Sequence, residues 1–145
     1  MRAVGIVTEF NPFHSGHARL LERTRQAGAT HIVAVMSGNF VQRGECAVLE
    51  KMVRTQAALL CGVDLVLELP LPYALATAEI FACGGVASLS ALGCVDTLAF
   101  GSECGNAAPL SACAQLLLSP EFGKALSKHL ALAMSFASAR QKAVA

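Results

Sequence analysis

The sequence predicts an α/β fold: a Rossmann-like parallel sheet with flanking helices. Two observations carry that expectation. Short apolar runs alternate with segments of helical periodicity, in the order β-α-β-α-β-α-β-α-α, and the runs are apolar on both faces, as buried parallel strands are. The composition agrees: of 145 residues, 54% are hydrophobic and only 14% charged, which excludes a mainly disordered chain and is enough for one domain with its own core.

The elements follow in order. Residues 2–8 (RAVGIVT) form a short Val- and Ile-rich strand that ends at a turn. Residues 9–14 are a loop, because Pro12 biases Asn11 away from helical angles. A helix over residues 15–26 is capped by Ser15, turns Leu20 and Leu21 inward and ends at Gly28. Residues 31–36 (HIVAVM) are the second strand, 37–46 a polar loop and 47–61 a helix. The third strand covers 64–69 and is stopped by Pro70 and Pro72. A long helix over 74–92 is weakened at Gly84-Gly85, and the fourth strand covers 97–100. Helices over 107–118, with Leu116 to Leu118 as core, and over 120–145 close the chain.

Net charge is +1, too small to imply a nucleic-acid surface over the whole chain, but it is unevenly placed. Residues 1–54 hold seven basic and four acidic side chains, so chemistry involving anions is expected there. The six cysteines (Cys46, Cys61, Cys83, Cys94, Cys104 and Cys113) form no C-x-x-C pair and read as reduced, mostly buried thiols of a cytoplasmic protein. The N-terminus has no signal-peptide pattern, and the charge-free stretch 80–95 is too short and too rich in Gly and Ser to span a membrane.

In a sheet of this type ligands sit beyond the C-terminal ends of the strands. The most distinctive residues lie there: Asn11-Pro12-Phe13-His14-Ser15-Gly16-His17, where the first strand passes into the first helix. The helix N-terminus offers free N–H groups and a positive dipole end, and two imidazoles three residues apart share a face. Gly16 in the first turn costs about 1 kcal/mol against Ala, which fits close approach of a ligand to the backbone. These donors suit a phosphate chain. A metal pair, a generic anion site and histidines without a role are the competing readings, and no third metal ligand has a clear place.

The pattern H-x-G-H between strand and helix resembles the signature of the nucleotidyltransferase superfamily. The resemblance narrows through four blocks in order: residues 5–17 (GIVTEFNPFHSGH), 36–45 (MSGNFVQRGE), 64–70 (DLVLELP) and 100–103 (FGSE). Together they are similar to the tRNA(Met) cytidine acetate ligase family. That resemblance implies a nucleotidyltransferase-type fold and an enzyme that activates acetate with ATP, then acetylates N4 of the wobble cytidine of elongator tRNA(Met). It implies that Val7, Thr8, Glu9, Phe10, Asn11, Pro12, Phe13, His14, Ser15, Gly16, His17 and Gly101 bind ATP, with His14 and His17 catalytic and Mg2+ bridging the phosphates. It makes Lys51 and Arg54 candidates for phosphate or tRNA contacts, though read alone they are a solvated helix face; Arg43, in the polar loop, is a candidate for the same contacts because a guanidinium forks onto phosphate oxygens, the alternative being a solvated loop.

Other residues carry weaker signals. Glu68 inside a strand needs a partner, an arginine or the site itself. Asp64 and Asp96 read as turn or cap residues, Glu103 as a ribose or magnesium contact or a helix cap, and His31 and His129 as structural or exposed. Two departures from the family stand out: Cys46 where Pro is usual, and Met52 where Trp is expected, leaving a packing gap. The family's later Ser/Thr-rich, Arg-containing motif is not found after residue 103, so the chain is expected to be an N-terminal fragment, truncated before the last strand and prone to self-association. The alternatives are an adenylyltransferase acting on a small phosphorylated metabolite and a non-catalytic nucleotide-binding remnant.

Overall fold

The structure is a computed structural model that describes residues 1–103 and 105–144, with only the backbone of Arg43. Contacts divide the chain into two compact units, Met1–Gly101 and the residues from Ser102 onward.

The first unit holds a parallel sheet of four strands: β1 (Ala3–Thr8), β2 (His31–Ser37), β3 (Leu65–Leu69) and β4 (Val95–Leu98). Their order is β3-β2-β1-β4. The chain steps outward from β1 to β3, then crosses to the other side of β1, so the order reverses between β1 and β4. In open α/β sheets ligands bind beyond the C-terminal ends of the strands at such a reversal.

Helices cover both faces. On one, α1 (Ser15–Gln26) and α2 (Lys51–Leu60) bring Leu21 and Ala58 against Val4, Ile6, Ile32, Ala34 and Met36. On the other, α3 (Leu71–Ala74) and α4 (Ala78–Ala91) bring Ala74, Phe81 and Leu89 against Val33, Val35 and Leu69. The expected class is thus the observed one. The second unit contains α5 (Ala107–Leu117), α6 (Pro120–Leu130) and α7 (Phe136–Val144). No helix among the described residues is long and apolar enough to cross a membrane.

Several expectations are corrected. The helix expected over 47–61 begins only at Lys51, because Asn11 and Asn39 side chains take the amides of Val48 and Lys51 and hold residues 47–50 as a loop. The helix expected over 74–92 is two helices. Pro72 sits in the first turn of α3, where its missing N–H costs nothing. Gly84-Gly85 does not weaken α4; both are buried in it, Gly84 under Tyr73 and Gly85 under Val7, where a Cβ would collide. The fourth strand lies two residues earlier than expected, ending as Ala99 donates to the Gly5 carbonyl. The last helix is broken between α6 and α7, where Ala133 takes a φ of 56°.

The described cysteines (Cys46, Cys61, Cys83, Cys94 and Cys113) are free and exposed rather than buried, because they stand in a loop, at element ends and on outward helix faces; Cys104 lies outside the described residues. Leu116 and Leu118 are exposed, not core, since α5 buries none of its residues. Met52 is 65% exposed and leaves no packing gap. Asn106, not Glu103, caps α5.

Candidate functional site

The residues after β1 build the site. Thr8 Oγ1 accepts from the Phe10 amide, and Phe10 turns back into the core with a φ of 44°. Its ring packs against Phe13 and edge-on against His17, at centroid distances of 5.0 and 4.9 Å. The Asn11-Pro12 peptide is cis. Gln42 donates its amide to Glu9 Oε1, so the 37–45 loop is tied to the segment after β1.

His14, not Ser15, caps α1. Its Nδ1 accepts from the Gly16 amide at 3.1 Å, and His17 Nδ1 accepts from the His14 amide at 3.3 Å, a reciprocal capping box built from two imidazoles. The rings stack at 3.7 Å. Gly16 has a local reason to be glycine: a Cβ there would lie 2.9 Å from the His14 ring. The cap also sets the chemistry. With both Nδ1 atoms accepting, each neutral ring carries its proton on Nε2. Burial lowers the His17 pKa below its ordinary value, and His14 lowers it further, which favours the neutral ring. The first turn of α1 thus carries two imidazole N–H donors, while the Gly16 and His17 amides are taken by His14.

The other expected residues are placed as follows. Val7 faces α4, half-buried, while Pro12, Ser15 and Gly16 are exposed. Gly101 lies three residues past Leu98, the last residue of β4, which pairs with Gly5 of β1. Arg43 sits in a short 3-10 turn, Gln42–Gly44, and its side chain lies outside the described residues. Lys51 bonds Glu68 at 2.7 Å, and Glu68 is exposed on an edge strand, with a lysine for its partner instead of an arginine or a buried site.

Arg54 is fully buried, so the solvated face expected for it does not exist. It donates to the carbonyls of Leu49, Glu9 and Gly38. Burial lowers its pKa, with Glu9 and Glu68 pulling the other way. Sequence reasoning missed this role, although Arg54 stands four residues before the buried Ala58 and hence on the inward stripe of α2. At the opposite end of the sheet, Asp64 accepts from the Ile32 amide and from Arg25. His31 is exposed, and His129 Nδ1 is buried without a partner among the described residues. Among the described residues no group of three or more His, Cys, Asp or Glu could hold a metal ion.

Comparison with known proteins follows the same lines. A model of the HIGH Nucleotidyl Transferase family matches residues 1–145. A tRNA(Met) cytidine acetate ligase of Syntrophotalea carbinolica is 51% identical over all of this chain, and one of Alkaliphilus metalliredigens is 49% identical over 99% of it. The chain spans about 35% of the length of each. The crystal structure of Thermotoga maritima TmcAL bound with alpha-thio ATP superposes with a TM-score of 0.93 at 43% identity, covering 99% of this chain and 36% of that one.

Proposed function

This chain belongs to the HIGH nucleotidyl transferase family, and from that premise we propose that it is the ATP-binding part of a tRNA(Met) cytidine acetate ligase. The observation that supports this reading is the His14–His17 cap, which stands just after β1, beside the point where strand order reverses, and leaves both Nε2–H groups outside the cap's own hydrogen bonds. The names of the relatives and the ATP analogue bound by the Thermotoga maritima protein support it.

In this reading a carboxylate oxygen of acetate attacks the α-phosphorus of ATP, and pyrophosphate leaves as acetyl-adenylate forms. N4 of the wobble cytidine of elongator tRNA(Met) then attacks the acetyl carbonyl. AMP leaves, and N4 gives up a proton. His14 and His17 donate to the phosphates and stabilise the charge that grows at phosphorus. The backbone from Val7 to Phe13, with Ser15, Gly16 and Gly101, holds the nucleotide by position. Arg43 and the half-buried Lys51 contact phosphate or tRNA. Among the described residues no cluster of His, Cys, Asp or Glu is built for a cation, and Mg2+ would come with the phosphates of ATP and supply charge neutralisation there. The protein works in the cytoplasm.

Calorimetric titration of this chain with a non-hydrolysable ATP analogue is expected to show saturable binding that His17→Ala abolishes. In the full reading frame that encodes these residues, acetate-dependent pyrophosphate release should fall roughly 10²–10³-fold in His17→Ala. Release driven by a phosphorylated metabolite instead of acetate would replace the ligase with an adenylyltransferase. Absence of nucleotide binding by wild type would sink both.

A further inference from the structure

Arg54 lies beneath the site rather than in it. Its Nε donates to the Leu49 carbonyl at 2.9 Å, Nη1 to the Glu9 carbonyl at 2.5 Å, and Nη2 to the Gly38 carbonyl. Glu9 is the first residue past β1 and Gly38 the first past β2. One side chain therefore spans the ends of the two central strands and the loop that leads into α2. Among the described residues it forms no ion pair, and its hydrogen bonds all go to backbone carbonyls.

The Glu9 carbonyl belongs to the peptide that leads into Phe10. Phe10 holds a φ of 44°, a left-handed conformation that bulky residues avoid unless their surroundings enforce it. Arg54 grips the peptide before it, Thr8 Oγ1 takes its amide, and its ring is wedged against Phe13 and His17. His17 in turn accepts from the His14 amide. A continuous set of contacts thus runs from Arg54 to the imidazole cap. The start of α2 has separate anchors, Asn39 on the Lys51 amide and Asn11 on the Val48 amide, so it stays attached without Arg54.

We propose that Arg54 is a positioning residue: by fixing the Glu9 and Gly38 carbonyls it holds Phe10 in its turn, and through Phe10 it sets the orientation of His17 and the His14–His17 cap. The coupling stands on geometry; its consequence for ATP rests on the reading above. A lysine keeps the charge but cannot span three carbonyls.

The test compares Arg54→Lys and Arg54→Ala with wild type by circular dichroism, by imidazole nitrogen NMR and by titration with a non-hydrolysable ATP analogue. Both variants are expected to fold, to lose the shift that marks His17 Nδ1 as an acceptor, and to bind the analogue roughly 10- to 100-fold more weakly. Guanidinium added to Arg54→Ala, well below its denaturing range, should restore both readouts, and an ammonium salt of equal ionic strength should not. Folded variants with an unchanged His17 signature overturn the proposal, as does a lysine variant indistinguishable from wild type or failure of guanidinium rescue. Loss of the fold in both variants overturns it too, since Arg54 would then hold the domain rather than the loop. If wild type binds no analogue, the nucleotide reading fails, and the His17 signature alone decides the role of Arg54.

Discussion

The two ends of the parallel sheet are each tied by an arginine from a neighbouring helix, on opposite terms. At the N-terminal end Arg25, in the last turn of α1, donates to the carbonyls of Thr30 and Gly62 and pairs with Asp64 at 2.5 Å, both side chains more than a third exposed. At the C-terminal end Arg54, near the start of α2, is 0% exposed and donates only to carbonyls. An exposed pair exchanges water for protein partners at little net gain. A buried cation and the carbonyls it satisfies have no water to return to, so removing it leaves uncompensated polar groups. The end that carries the site is held by the costlier device.

Substitutions can break that contrast. Arg54→Met should give the largest effect, lowering stability by about 3–5 kcal/mol because three carbonyls lose their donor; urea unfolding measures it. If the loss were no greater than for Arg25→Met, the two ends would be energetically alike. His14→Asn comes next and divides the C-terminal end into cap and donor. Asparagine is a good N-cap, so stability should change by less than about 1 kcal/mol, while loss of the Nε2–H donor should weaken ATP-analogue binding about tenfold or more. Equal binding by the variant would show that the His14 donor is not needed.

The smallest effect belongs to the N-terminal end. Burial pushes the Asp64 carboxyl up, but the Ile32 amide, Arg25 and His31 outweigh it and hold its pKa below the ordinary range. Between its folded and ordinary values the unfolded chain binds more protons, so stability rises with pH there. The contribution is present above about pH 4 and is lost as pH falls through the folded value. Asp64→Asn should flatten that slope at a cost of about 1 kcal/mol or less at neutral pH, read from denaturation at a series of pH values.

The same contrast explains what was legible in advance. The span of α1 and its glycine stop follow from local rules, and α1 runs over Ser15–Gln26 as expected. The His14–His17 spacing foretold the stacked rings because helix geometry alone puts them together. Glu68 misled because an apolar run does not show whether its strand is central or at an edge; here β3 is an edge, and Glu68 reaches solvent and Lys51. The cysteines misled for a related reason, since a small apolar residue has no pattern that assigns it to an inward or outward face.

The parallel α/β class, the alternation of strand and helix and the span of α1 are settled along the chain, by periodicity and by chemistry that acts within a few residues. The strand order β3-β2-β1-β4, its reversal beside β1 and the burial of Arg54 are not. Arg54 meets Glu9 across 45 positions of sequence. A carbonyl that waits for a distant guanidinium looks like any other carbonyl, and such a contact exists only once packing has excluded the water that would otherwise satisfy both.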